Sequence, residues 1–275
     1  MKGIMVNNFI LYSEACSWML EIKSSCQEII NIVNNFFGGF IIPNNVKGTI
    51  ETSISINKYD NKYVLSDKNK SYVLNDLSSV GFYLYRIIDK LSESNTKENY
   101  CVYHGSVIER DEKSYCVLAP TQTGKSTFIS YFLKEGYTCV SDDYIFVDRN
   151  TNSIQPFYLP VSLRDTSLLD HEVYNNYEII SGYNELRGES NSLIRFVQCK
   201  NKLPFCNAIF ISRKNDNSFR RLTKGELFKE LLFNLKNCQN LNYELEYTKE
   251  ISNLINGYEL VYNDFNFVKA FLERL

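Results

Sequence analysis

Between Leu118 and Phe128 the chain reads Ala119-Pro120-Thr121-Gln122-Thr123-Gly124-Lys125-Ser126-Thr127, the [A/G]-x-x-x-x-G-K-[S/T] pattern of a phosphate-gripping loop. The spacing has a chemical reason. Backbone N–H groups of the loop and of the helix that follows point at an anion, Lys125 neutralises β- and γ-phosphate charge, and Ser126 offers its hydroxyl to Mg²⁺. Gly124 keeps the backbone close to the anion. Thr121, Gln122, Thr123 and Thr127 complete the expected nucleotide-binding segment. Tyr115-Cys116-Val117-Leu118 reads as a strand and Phe128 to Leu133 as a helix, so the strand-loop-helix context that the motif demands is present. Ala119 replaces the more usual first glycine.

Asp142 and Asp143 follow at the end of a short apolar run starting at Thr138. Strand ends in open α/β sheets face the ligand crevice. Two adjacent carboxylates there can divide two jobs, one on Mg²⁺ and one taking a proton from an attacking hydroxyl. Which carboxylate does which is open at this level. Asp148, ending Ile145-Phe146-Val147, is a rival metal ligand. His104, before Gly105 on the strand leading toward the loop, could add positive charge or move a proton beside a triphosphate, or could be a core residue.

The elements that must position these groups are legible in outline. Cys101 to Glu109 and Tyr115 to Ala119 read as strands joined by the turn Arg110-Asp111-Glu112-Lys113, and Gly136 stops the helix after the loop. Ala208 to Ile211 reads as a strand, Asn215-Asp216-Asn217 as a hairpin turn, and Thr223-x-x-Glu226 as a capping box opening a helix. Upstream, apolar residues from Ile29 to Phe37 recur at helical spacing before Gly38-Gly39. Segments 49–56, 63–65 and 72–74 read as a small β meander, and Asn75 or Asp76 caps a helix from Val80 to Leu91. Ser92 to Asn99 is polar and marks the boundary between an N-terminal α+β accessory lobe, 1–97, and a core, 98–275. The stretch from Ile154 to Ile194 is poorly periodic and carries Pro156, Pro160 and Gly182, so no element is assigned there.

Composition narrows the function classes. With 44% hydrophobic and 23% charged residues in 275, the chain can bury a substantial core. Thirty Lys and Arg against 32 Asp and Glu give a formal net charge of -2, which removes the broad cationic field of a nucleic-acid binder. No apolar run approaches a membrane span or a signal peptide core, so a cytoplasmic location is expected. The 8 cysteines form no CxxC pair and read as free thiols; the 2 histidines argue against a histidine-rich metal site and for a hard ion held by oxygens.

Taken together, Tyr103-His104-Gly105-Ser106-Val107, the loop Ala119 to Thr127, and Gly136 to Asp143 resemble the catalytic core of HPr kinase/phosphorylase, in order and approximate spacing. That family is related in its nucleotide fold to ATP-dependent phosphoenolpyruvate carboxykinase. Ala208 to Leu235 and Gly257-Tyr258-Glu259-Leu260 look like the C-terminal part of the HPr-kinase-like proteins found beside peptide-modification enzymes, including lasso-peptide kinases. Glu185-Leu186-Arg187-Gly188 resembles the Glu-x-Arg-Gly stretch of the HPr kinase signature but lies farther from Asp143.

The resemblance implies an α/β fold with a P-loop core of the HPr kinase C-terminal/phosphoenolpyruvate carboxykinase type, a mixed sheet and a β-rich N-terminal lobe. It implies ATP and Mg²⁺ as cofactors, with Asp142, Asp143 and His104 catalytic and Ser126, Asp142 and Asp143 at the metal. The expected activity is a kinase placing the γ-phosphoryl group on a serine of a ribosomally made precursor peptide or small protein, without nucleic-acid or membrane partners and compatible with a homo-oligomer. A kinase of HPr or of a small molecule, and a nucleotide-gated binding module that transfers nothing, are the alternatives. A transport ATPase lacks support, because no LSGGQ-like signature or second nucleotide motif is found. The basic cluster Arg213, Lys214, Arg220, Arg221 and Lys224 reads as a solvated hairpin face or as a patch for an acidic leader. Arg164 and Arg187 are further candidates for phosphate or acceptor contacts.

Overall fold

In a computed structural model of the chain, residues 6–42, 49–120, 123–164, 178–184, 189–195, 199–236 and 240–275 are described. In chain order the elements are β1 Asn7–Tyr12, β2 Met19–Ser24, α1 Gln27–Phe37, β3 Thr52–Tyr59, β4 Lys62–Ser66, β5 Ser71–Leu74, α2 Leu77–Ser94, β6 Tyr100–Tyr103, β7 Gly105–Arg110, β8 Lys113–Leu118, α3 Lys125–Lys134, β9 Thr138–Ser141, β10 Ile145–Asp148, β11 Ser153–Gln155, β12 Val161–Leu163, β13 Ile179–Asn184, β14 Glu189–Ile194, β15 Leu203–Pro204, β16 Asn207–Arg213, β17 Ser218–Arg221, α4 Lys224–Phe233, β18 Leu235–Lys236, α5 Leu241–Leu254, β19 Asn256–Tyr262 and α6 Phe265–Leu272. They divide into two units, Met1–Lys97 with Tyr158–Phe196, and Glu98–Phe157 with Val197–Leu275. The stretch from Tyr158 to Phe196, read with the core on sequence, thus groups with the N-terminal residues. Its strands β12, β14 and β13 form their own three-stranded sheet, with β13 against α2.

In the first unit, β1 to β5 form a sheet in sequence order, antiparallel except for the β2–β3 pair. Of the two candidate caps for α2, Asp76 is the one used: its carboxylate accepts from the Ser79 N–H at 2.7 Å, satisfying one of the orphan donors of the first turn. Trp18 is fully buried and donates its indole N–H to Ser92 Oγ at 3.0 Å. β1 and β2 lie in a segment whose strands the sequence does not announce. Glu21 occupies a buried position on β2, held by Ser53, Asn8 and Lys23, and so breaks the apolar alternation by which strands are recognised.

The second unit carries a six-stranded mixed sheet in the order β17-β19-β16-β8-β7-β9, and a five-stranded sheet in the order β15-β11-β10-β6-β18. β19, β16 and β8 run parallel, whereas β17 and β7 are antiparallel to their neighbours. Because side chains alternate along a strand, Cys116 and Leu118 of β8 and Ala208 and Phe210 of β16 share one side. They join Ile145 and Val147 of β10, Leu227 and Leu231 of α4 and Ile251 of α5 in one buried cluster. An aromatic cluster of Phe128 and Phe132 from α3, Tyr262 at the end of β19 and Phe265 from α6 ties those helices to the six-stranded sheet. The described cysteines are free thiols, with Cys16, Cys101, Cys116 and Cys139 buried. No helix among the described residues is long and apolar enough to cross a membrane.

Gly105 is required by close packing. A Cβ there would lie 2.6 Å from Ile145 Cδ1 and 2.8 Å from the Val117 carbonyl oxygen. Gly105→Ala must therefore push β7 off β8 or β10, at a cost of about 1–3 kcal/mol. The expected result is a melting temperature lowered by roughly 2–4 °C per kcal/mol, measured by calorimetry; an unchanged transition would show that the strands re-space freely.

Candidate active site

The sheet topology decides which residues meet. The loop leaves the C-terminal end of β8. β7 is antiparallel to β8, pairing Gly105 with Leu118, and β9 is antiparallel to β7. Two reversals bring the start of β7 and the ends of β8 and β9 to the same sheet edge. His104, the loop and the Asp142-Asp143 pair are therefore assembled from segments far apart in sequence.

Gly124 sits at φ 95, the left-handed region that favours glycine, and is the N-cap of α3. Phe128 N–H is the donor that reaches the Gly124 carbonyl at 2.8 Å, so the N–H groups of Lys125, Ser126 and Thr127 fall in the first turn, where an α-helix supplies no intrahelical partner. The Thr123 hydroxyl donates to the Pro120 carbonyl at 2.6 Å. Thr121 and Gln122 lie outside the described residues.

Lys125 is only 6% exposed, and a buried ammonium needs partners. Its Nζ donates to the Ala119 carbonyl at 2.8 Å and meets His104 Nε2 at 2.9 Å. An ammonium can only donate, so Nε2 accepts and the ring proton resides on Nδ1. Nδ1 faces the Asp143 carbonyl oxygen at 3.3 Å and donates to it. His104 thus ties the loop lysine to the backbone of the acidic pair as a neutral imidazole, and burial followed by the neighbouring Lys125 charge lowers its pKa from the usual histidine value.

Asp142 is buried and accepts from Ser106 Oγ at 2.5 Å and from Ser126 Oγ at 3.3 Å. One carboxylate thereby links β7 to the first turn of α3. Asp143 has φ 65 and is partly exposed; among the charges acting on Lys125, that of Asp143 is the largest that favours the ammonium, opposing the burial that disfavours it.

Among solved structures, the chain is similar to an HPr kinase. No protein-family model matches the chain, and no curated protein matches it. The HPr(Ser) kinase/phosphatase from Coxiella burnetii is similar at 13% identity, over 63% of this chain and 92% of that chain, with a TM-score of 0.31.

Burial, then the charge of Asp143, raises the Asp142 carboxyl from its ordinary 3.8 to about 7. Between those values the folded protein holds a proton that the unfolded chain has lost, so this group makes stability fall as pH rises from about 4 to about 7, with no further loss above. Asp142→Asn removes the titration. In nucleotide-free, Mg²⁺-free buffer the variant is expected to gain melting temperature over the parent at pH 8 relative to its standing at pH 5. A difference between the two proteins that is flat across this range would contradict the buried carboxyl.

Lys236 is a site residue that sequence reasoning missed. β18 pairs with β6, placing Leu235 opposite Tyr103 and Lys236 opposite Val102, and the His104 N–H donates to the Asn234 carbonyl at 2.6 Å. Lys236 Nζ lies 3.5 Å from the ring centroid of the buried Tyr144, the residue after Asp143. Its charge acts on both His104 and Lys125. A two-residue strand has no periodicity to announce it.

Asp148, the rival metal ligand, is at the wrong end of its strand. β10 pairs with β6 so that Ile145 lies opposite Tyr103 and Asp148 opposite Tyr100, which carries Asp148 away from His104 by roughly 10 Å of strand. There its carboxylate accepts from the Asn150 N–H at 3.0 Å and meets Lys202 at 3.5 Å. In the basic cluster, Arg220 is paired with Glu226 and Glu259, Arg221 donates to Asn256, and Lys224 donates to the Ile255 carbonyl. Arg164 follows β12 in the first unit, and Arg187 lies outside the described residues.

Among the described residues no group of three or more His, Cys, Asp or Glu could hold a metal ion unaided. Mg²⁺ commonly takes one or two protein oxygens and completes its shell with phosphate oxygens and water. The Ser126 hydroxyl and the Asp142 carboxylate, already in contact, are hard oxygen donors of that kind, so the residues present fit a phosphate-carried Mg²⁺.

Proposed function

We propose that the second unit is a Mg-ATP-dependent phosphotransferase that moves the γ-phosphoryl group to a serine hydroxyl of a ribosomally made precursor peptide. The observation that carries this reading is the Ser126–Asp142 contact beside the buried Lys125. A loop closing a strand, a left-handed Gly124, a helix opening at Lys125 and a carboxylate bonded to the next hydroxyl are the parts needed to grip a metal-bound triphosphate. The peptide acceptor rests on the likeness of Ala208 to Leu235 and Gly257 to Leu260 to the peptide-modifying relatives of HPr kinase.

Each residue has a distinct task. Lys125 and the first-turn N–H groups of α3 hold phosphate oxygens, and Lys236 adds positive charge at the same edge. Ser126 and Asp142 would hold Mg²⁺, which when bound neutralises phosphate charge. Asp143, more exposed than Asp142, accepts the proton of the serine hydroxyl as its oxygen bonds to the γ-phosphorus and the bond to the β-phosphate bridging oxygen breaks, leaving ADP. His104 is a positioning residue that holds Lys125 and the Asp143 backbone in register.

The test is incubation with γ-labelled ATP, Mg²⁺ and serine peptides. Label on a peptide serine supports transfer; label that stays in ATP, or appears only as free phosphate, refutes it. His104→Gln sharpens the assignment. The amide oxygen can still accept from Lys125, but glutamine lacks the imidazole geometry that joins Nε2 to Nδ1. The expected outcome is slower single-turnover transfer with nucleotide affinity and melting temperature retained. A loss of melting temperature proportionate to the loss of rate would make His104 a packing residue.

A further inference from the structure

Beside the candidate active site the second unit contains a cleft of about 760 Å³ that the phosphate-gripping role does not use. It is lined by His104 with Ala119 and Pro120 of the loop and by the buried Leu118, Phe210 and Leu222. One wall is a single stripe of α4, where Glu226, Lys229, Glu230 and Phe233 recur at i, i+3, i+4 and i+7. That stripe is roughly 10 Å long at 1.5 Å per residue, the length of about three residues of extended chain. Phe233 ends the stripe and is 74% exposed, a large aromatic left in water on a cavity whose lining includes those buried apolar residues.

The charges are disposed unevenly. Arg220 is held between Glu226 at 2.8 Å and Glu259 at 2.6 Å, and Lys229 Nζ lies 5.8 Å from the Phe233 ring centroid. With Glu230 also on the wall, the side chains that line the cleft carry three carboxylates against two cations, His104 being neutral. Along the lining itself, an acidic occupant meets one carboxylate more than it meets cations, and both of those cations already face a carboxylate or an aromatic ring. A cleft of this size far exceeds what one serine side chain fills, and it is continuous with His104 and the loop.

The geometry points to this cleft as the acceptor groove: it takes an extended peptide segment whose residues next to the reacting serine are apolar or aromatic and not acidic. This rests on the phosphotransfer reading above and assigns the substrate class of that same site. The serine sits at the His104 end, the apolar neighbours lie on Leu118, Phe210 and Leu222, and an aromatic or aliphatic side chain covers Phe233.

Binding and transfer are measured separately on the full chain. The probes are two fluorescein-labelled peptides with a central serine, one flanked by Phe and Leu, the other by Asp, titrated with a non-hydrolysable ATP analogue and Mg²⁺ present. The Phe/Leu peptide is expected to bind at least about tenfold more tightly than the Asp peptide. Phe233→Ala, a substitution at an exposed position that spares the core, is expected to weaken it by a further several-fold without changing affinity for a fluorescent ATP analogue. Equal binding of the two peptides, or insensitivity to Phe233→Ala, overturns the groove. So does a loss of nucleotide affinity in Phe233→Ala, which would assign the cleft to the nucleobase. Phe233-dependent binding of the Phe/Leu peptide with no label transferred from γ-labelled ATP supports the groove and defeats the phosphotransfer reading instead.

Discussion

Replacing Asp143 by Asn is expected to cut phosphoryl transfer by roughly two orders of magnitude or more while leaving nucleotide affinity nearly intact. The amide keeps the size and one acceptor oxygen of the carboxylate but cannot take a proton. The backbone carbonyl of Asp143, which accepts from His104, is unaffected by the change, so His104 and Lys125 keep their positions. Asp142→Asn should behave differently, because Asp142 touches the Ser126 hydroxyl: its main effect is a higher Mg²⁺ requirement. Single-turnover transfer measured across a Mg²⁺ titration separates the two. If both variants transfer at the parental rate at limiting Mg²⁺, the acidic pair is a turn and nothing more.

Lys125→Ala is expected to lower Mg-ATP affinity ten- to a hundredfold, the equivalent of about 1.5–3 kcal/mol for a charge-assisted hydrogen bond. The folded protein should survive the change. Burial pushes the Lys125 pKa down, which means the fold bears a cost for the ammonium that alanine removes, offset by the lost contacts to Ala119 and His104. Calorimetry with and without Mg-ATP reads both effects: the parent gains melting temperature with nucleotide, as any protein does with a ligand of its native state, and at the same Mg-ATP concentration the variant gains less. A variant stabilised by Mg-ATP as strongly as the parent would remove the loop from nucleotide binding.

How much of this was legible beforehand follows the range of the interactions involved. The strand, the Gly-Lys-Ser loop and the helix after it are contiguous, and their signals are local: an apolar run, a residue able to adopt φ 95 and a helix start at Lys125. The Asp76 and Thr223 caps are local for the same reason, since a cap bonds to a backbone group three residues away. These parts the sequence determined by itself, except that it offered both Asn75 and Asp76 as the cap of α2 and the folded backbone selects Asp76.

The tertiary structure decided everything that depends on strand order. That His104 reaches Lys125, that Asp142 is buried against Ser106 and Ser126, and that Asp148 is carried away from them follow from which strands pair and in which direction, and no residue pattern along one strand encodes its neighbour. Lys236 is the sharpest case, because a two-residue strand positions it through hydrogen bonds to β6 that are more than 130 residues distant in sequence (236 − 102 = 134). Arg220 is another: a surface cation on sequence, it gains Glu259 as an ion-pair partner only when β17 pairs with β19. The grouping of β12, β13 and β14 with the N-terminal residues has the same origin, since burial of an apolar face against α2 is a contact between distant segments and leaves no mark on the local sequence.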